Sequence, residues 1–183
     1  MRPIILGLTG YKRSGKTTVA EHLCDAHGFY HESFAAPIRA AVMDILGLDF
    51  MHQLDQAKES PIAWLDGTTP RKMMQTLGTE WGREMIHPEL WIRACQRRIQ
   101  VAIDRGENVV ISDVRFKNEA DAIRSMGGTI LRVIRVTNES QDPHASEAEI
   151  ESIHSDFLLS NEADLHALRR NVDMMLPWFS EGA

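Results

Sequence analysis

The chain has 183 residues, 43% hydrophobic and 25% charged, the proportions of an ordinary soluble globular protein long enough to bury one real core. Its formal net charge of −6 argues against broad electrostatic attraction to nucleic acid. No apolar run approaches the roughly 18 residues that a membrane-spanning helix needs. Cys24 and Cys95 both fall in apolar helical patterns, so buried free thiols are expected rather than a disulfide or a metal site. With no signal-peptide layout at the N-terminus, the cytoplasm is the expected compartment.

The elements alternate. Pro3–Thr9 is a short apolar run, as expected for a buried parallel strand. Gly10-Tyr11-Lys12-Arg13-Ser14-Gly15-Lys16-Thr17 follows and fits G-x-x-x-x-G-K-[ST], a phosphate-binding loop. Glycines let several backbone N–H groups point at one phosphate, and the helix that follows aims its positive end at the same place. Lys16 would reach the β- and γ-phosphates, and the Thr17 hydroxyl would ligate Mg²⁺. Lys16–Ala26 is an amphipathic helix stopped by Gly28. Phe29–Phe34 is a second strand and Pro37–Leu46 a helix closed by Gly47. Residues 49–69 are mixed and polar, irregular or short-helical. Thr69 caps a helix running from Pro70 toward Met85, with Met73, Met74, Leu77 and Trp81 as its core face. Gly78 interrupts that helix, which suggests close approach of a backbone or a ligand. Pro88–Asp104 is helical and Asn108–Ser112 is a clear buried strand. Asn118–Met126 is a helix, Thr129–Val136 a strand, and 137–145 a polar turn. Residues 146–155 are helical, Phe157–Leu159 a last short strand, and Ala163–Met175 a final helix.

Strands alternating with helices imply an α/β fold with a parallel sheet covered on both faces, with ligands at the carboxyl ends of the strands. Asp113 ends one such strand, where a second Mg²⁺-side carboxylate or a helix-capping Asp would stand. Arg115 either forks onto phosphate oxygens or pairs with Glu119 on the surface. Ser33 and Arg39 flank the end of the second strand and could floor an acceptor site; a solvated Arg and a core Phe34 are the plainer reading. Arg71 and Gln75 share a helix face at i, i+4, with Arg83 further on. Trp91 reads as a core residue sooner than a base-stacking one.

Five segments in order carry a resemblance: Gly10–Thr17, Ser33-Phe34-Ala35-Ala36-Pro37-Ile38-Arg39, Leu77-Gly78-Thr79-Glu80-Trp81-Gly82-Arg83, Ser112-Asp113-Val114-Arg115-Phe116-Lys117-Asn118-Glu119-Ala120 and His144-Ala145-Ser146-Glu147. Together they resemble the phage-type deoxynucleoside monophosphate kinases over nearly the whole chain, with Lys117 where a Pro is expected. The resemblance implies a three-layer P-loop, nucleoside monophosphate kinase-like fold with a five-stranded parallel sheet. It implies a single kinase domain over 1–183, a helical acceptor-binding part at about 36–105 and a lid at about 137–147. The implied reaction moves the ATP γ-phosphoryl group to a dNMP. Gly10, Lys12, Ser14, Gly15, Lys16, Thr17 and Thr18 would bind ATP, with Thr17 and Asp113 on Mg²⁺. Lys16, Asp113 and Arg115 would be catalytic, and Ser33, Arg39, Arg71, Gln75 and Arg83 would bind the acceptor. No nucleic-acid or membrane partner is implied, and a homodimer is left open. The rival readings are a P-loop kinase with another small-molecule acceptor and a nucleic-acid-linked ATPase.

Overall fold

The computed structural model describes residues 2–135 and 145–181. They form two compact units, one of residues 2–33, 95–135 and 145–181 and the other of residues 34–94. The first unit contains a five-stranded, wholly parallel sheet of β1 (Ile5–Thr9), β2 (Tyr30–Glu32), β3 (Val109–Ile111), β4 (Thr129–Ile134) and β5 (Phe157–Ser160). The order is β2-β3-β1-β4-β5. β1 therefore lies at the centre, and the chain leaves it toward opposite sides of the sheet. That is the switch point at which α/β sheets open a crevice beyond the strand ends.

All five β1 residues are buried, and alternation divides them between two faces. Leu6 and Leu8 belong to one cluster with Val19, Ala20 and Leu23 of helix α1 (Lys16–His27) and with Leu168, Val172 and Phe179 of a long C-terminal helix. Each fully buried aliphatic side chain in such a cluster contributes about 1.5–3 kcal/mol. Gly7 faces the other way, where an added Cβ would stand 2.8 Å from Ile123 Cδ1 and 3.1 Å from Val114 Cγ2.

Helix α2 (Ala36–Leu46) ends on left-handed Gly47, as the sequence suggests, and α3 (Met51–Ala57) is a short helix within the segment expected to be irregular or short-helical. Thr69 caps α4 (Pro70–Thr76), its Oγ1 accepting from the Lys72 N–H at 3.2 Å. The single helix expected from Pro70 to Met85 is two pieces, because the backbone widens into a π-helix over Leu77–Ile86. Helix α5 (Leu90–Asp104) supplies Trp91, whose Nε1 donates to the Gly78 carbonyl at 2.7 Å. What approaches Gly78 is neither the backbone nor the ligand expected but side chains: the indole on its carbonyl, and Ile38 Cδ1 3.2 Å from where a Cβ would stand. Trp91 is core, 8% exposed, with Phe34, Ile38, Val42 and Leu54 also buried in this unit. Trp81, expected in the core, is exposed instead.

The first unit is completed by α6 (Lys117–Ser125), α7 (Ala145–Ser152) and α8 (Leu165–Glu181). Helix α8 runs past its expected end at Met175 and carries Pro177 within it. Lys117 is the first residue of α6, the position where Pro is favoured for its fixed φ. No helix among the described residues is long and apolar enough to cross a membrane.

Candidate functional site

The loop between β1 and α1 depends on two glycines. Gly10 and Gly15 have φ of 141° and 108°, where any Cβ is strained. Space is also missing: a Cβ on Gly10 would meet the Val133 carbonyl oxygen at 2.3 Å, and one on Gly15 would meet Asn161 Nδ2 at 2.5 Å. Arg13 carries a left-handed φ of 64° at the loop tip, a local strain of about 1 kcal/mol or more. Gly15 caps α1 with no side-chain bond and no acidic residue in the first turn, which leaves the helix's positive end open to an anion. Lys16 Nζ donates to the carbonyls of Gly10 at 2.7 Å and Tyr11 at 2.8 Å, holding the ammonium over the loop. Lys12 and Thr17 are exposed, Thr18 is half-buried, and Ser14 is buried. The Ser14 hydroxyl finds no hydrogen-bond partner among the described residues.

Asn161 braces this loop from the far side of the sheet. It follows β5, its own N–H donates to the Ile134 carbonyl at 2.7 Å, and its Nδ2 donates to the Ser14 carbonyl at 2.9 Å. Nothing local in the sequence marks Asn161, because 147 positions separate the partners.

Strand β3 lies beside β1 in register, Gly7 against Ile111, and the Val114 N–H donates to the Leu8 carbonyl at 3.2 Å. Asp113 and Arg115 therefore leave the same sheet edge as the phosphate loop. Glu119, 3% exposed, accepts from the backbone N–H of Arg115 at 2.8 Å and of Phe116 at 3.2 Å. The alternative of an Arg115–Glu119 ion pair gives way to this cap. The Arg115 side chain is exposed. Arg132, just before the expected lid, donates to the Ile150 and Ile153 carbonyls instead of reaching toward a phosphate.

At the end of β2 a buried carboxylate pairs with a half-buried arginine. Glu32 is 4% exposed, and Arg98 Nε donates to its Oε2 at 2.7 Å. The Arg98 Nη2 donates to the Ser33 carbonyl at 3.1 Å, and the Ser33 N–H donates to Glu32 Oε1 at 2.8 Å. Burial works against the Arg98 charge, yet the Glu32 hydrogen bond and charge offset it, and the pKa ends above its usual value. The same environment acts on Cys95, which is fully buried. Burial foremost, and the Glu32 carboxylate next, push its thiol pKa far up. Cys24 and Cys95 are free thiols, as expected, but only Cys95 is buried; Cys24 is partly exposed. Ser33 is thus placed through its backbone by a pair that the sequence reading did not single out.

The other acceptor-side candidates lie in the second unit. Arg39 on α2 makes a two-pronged bond to Asp55, Nη2 standing 2.7 Å from each carboxylate oxygen. Arg71 on α4 pairs with Glu59, and its N–H donates to the Lys58 carbonyl at 2.9 Å. Gln75 is exposed one turn further along α4, and Arg83 is half-buried in the π-helical segment. Arg39 and Arg71 are each held by an acidic neighbour that water can reach. The expected lid at 137–147 lies outside the described residues up to 144, as does His144; α7 begins at Ala145.

A model of the deoxynucleotide monophosphate kinase family matches residues 51–172. A protein of Acanthamoeba polyphaga mimivirus, which carries that name provisionally, is 38% identical over 175 residues, 86% of this chain and 88% of its own. The deoxynucleoside-5'-monophosphate kinase of Escherichia phage T5 is 32% identical over 103 residues, 52% of this chain and 40% of the phage protein. Among solved structures, a dephospho-CoA kinase from Campylobacter jejuni shares the fold with a TM-score of 0.55 at 13% identity, over 98% of each chain. A sugar kinase from Janibacter gives 0.55 at 15% identity, over 96% of this chain and 95% of its own.

Proposed function

We propose, from the premise that the chain belongs to the deoxynucleotide monophosphate kinase family, that it moves the γ-phosphoryl group of ATP to a deoxynucleoside monophosphate, giving a dNDP and ADP. The observation that carries the donor half is the loop itself. Two glycines stand where no Cβ fits, the N-terminus of α1 is uncapped, and Lys16 is tethered over the loop. The buried Ser14 hydroxyl without a protein partner adds a polar atom at the same place. These features fit a polyphosphate, whose oxygens accept from backbone N–H groups and from the ammonium.

The reaction needs two anionic phosphates brought into line and their charge dispersed; no covalent intermediate is required. Lys16 supplies charge to the β- and γ-oxygens. Arg115, exposed at the same strand edge, can fork onto oxygens of the transferring group. Glu119 fixes the backbone from which Arg115 projects, so the guanidinium starts from a defined point. Thr17 and Asp113 are the residues that would hold Mg²⁺, which when bound neutralises charge on the β,γ-oxygens. Ser33, Arg39, Arg71, Gln75 and Arg83 are the acceptor-side residues of this reading, and a lid at 137–147 would exclude water.

The test is coupled detection of ADP release over a panel of dNMPs, NMPs and non-nucleotide acceptors. At least one dNMP is expected to raise turnover far above basal ATP hydrolysis. Acceleration by a non-nucleotide acceptor alone would assign the chain to another small-molecule kinase activity. No acceleration by any acceptor would sink the phosphotransferase reading.

A further inference from the structure

Among the described residues, His22, His27 and Asp173 bring three ligand atoms within 4.8 Å of one another, and nothing in the reaction uses them. His22 lies in α1, and His27 is that helix's last residue before left-handed Gly28. Asp173 comes from α8. Both imidazole Nε2 atoms stand 2.7 Å from the same oxygen, Asp173 Oδ1, and the two rings meet edge to face with centroids 5.5 Å apart. The backbone beneath is firm, since Leu23 beside His22 is fully buried and so is Val172 beside Asp173. The ligand atoms themselves are reachable: the side chains are 12%, 29% and 46% exposed.

We propose that His22 Nε2, His27 Nε2 and the Asp173 carboxylate form a second cation site, for a divalent metal of the zinc class, which clips the end of α1 to α8. Two imidazoles and one carboxylate suit Zn²⁺, Co²⁺ or Ni²⁺ and are a poor set for Mg²⁺, which takes oxygen ligands. A tetrahedral ion at about 2.0–2.2 Å from each ligand spreads those atoms to roughly 3.3 Å apart. The observed 2.7 Å contacts would therefore open by a fraction of an ångström, within rotamer freedom for side chains this exposed. Water would complete the fourth position. The helix being clipped is the one whose other end carries Gly15 and Lys16, so the site would stiffen the element on which the phosphate loop rests.

The experiment uses the full chain stripped with chelator and titrated with ZnCl₂ alone by calorimetry and thermal unfolding, with Co²⁺ as a spectroscopic probe. Wild type is expected to bind one tight Zn²⁺ equivalent, to gain several degrees in Tm, and to give the intense visible bands of four-coordinate Co²⁺. His27→Gln and Asp173→Asn, near in shape and outside the phosphate loop, should each lose that equivalent and those bands. Both should keep the Mg²⁺-supported turnover of wild type. Zn²⁺ binding equal in wild type and variants would place the metal elsewhere and overturn the proposal. So would six-coordinate Co²⁺ spectra unchanged by both substitutions, or no tight equivalent at all. In either case His22 and His27 would be plain hydrogen-bond donors to Asp173.

Discussion

At the scale of single residues, the most exposed claim concerns Lys16. Its ammonium donates to two carbonyls of the loop itself, at 2.7 and 2.8 Å, so its loss should leave the sheet in place. Removing a charge aimed at the transferring group costs far more in the transition state than in the fold. Lys16→Ala is expected to lower kcat at least about 100-fold with an unchanged circular dichroism spectrum. Near-normal turnover would detach the loop from the chemistry. The Glu32–Arg98 pair behaves in the opposite way. Arg98→Met leaves a carboxylate that is 4% exposed without its partner; with Arg98 itself 31% exposed, the cost is that of an unpaired buried acceptor, about 1–3 kcal/mol. Urea unfolding should show that loss as a lower midpoint with an unchanged slope. Cys95 carries a third expectation. A fully buried thiol with its pKa pushed up by burial is a poor nucleophile, so DTNB should leave it unlabelled in the native protein and label it only on unfolding.

At the scale of elements, the π-helical segment is where packing overrides local propensity. Periodicity from Pro70 to Met85 reads as one α-helix, whereas the backbone widens from Leu77 on, where the Trp91 indole packs against Gly82 and donates to the Gly78 carbonyl. A Cβ on Gly82 would lie 2.5–2.7 Å from three atoms of that ring, whereas one on Gly78 would meet only the far end of Ile38 at 3.2 Å. Gly82→Ala is therefore expected to destabilise by about 1–3 kcal/mol, and Gly78→Ala by clearly less. Equal losses in urea titrations of the two variants would show that the ring is not the constraint. The same segment shows how far the sequence could be read. Strands β1, β3 and β4, the phosphate loop and the caps at Thr69, Gly28 and Gly47 were legible because their signals are local. Asn161 under Ser14, Glu32 against Arg98 and Trp91 under Gly78 were not, because each joins positions that only the fold brings together. Trp81 reads as core in the sequence yet is exposed for the same reason: its helical phase belongs to an α-helix that the chain does not form.

At the scale of the whole molecule, the proposed donor half of the function rests on the sheet order and the proposed acceptor half on the helical unit. With β1 central, the loop, Asp113 and Arg115 come from adjacent strands of one unit, while Arg39 and Arg71 belong to the other. That division makes a kinetic claim. Arg39 and Asp55 are 21% and 52% exposed, and a pair so accessible contributes about 1 kcal/mol or less to stability. Arg39→Ala should thus fold normally. If Arg39 or Arg71 also holds the acceptor phosphate, each loses a charge-assisted bond worth about 1.5–3 kcal/mol, a roughly 10- to 100-fold rise in KM for the dNMP. KM for ATP should stay put, since no donor-side residue is touched. Asp55→Asn separates this from a merely structural role. It breaks the same ion pair but spares the guanidinium, so it should leave KM for the dNMP near wild type. Matching defects in Arg39→Ala and Asp55→Asn would mean that Arg39 serves the packing of its own unit, and the acceptor phosphate would have to be sought at Arg71 or Arg83.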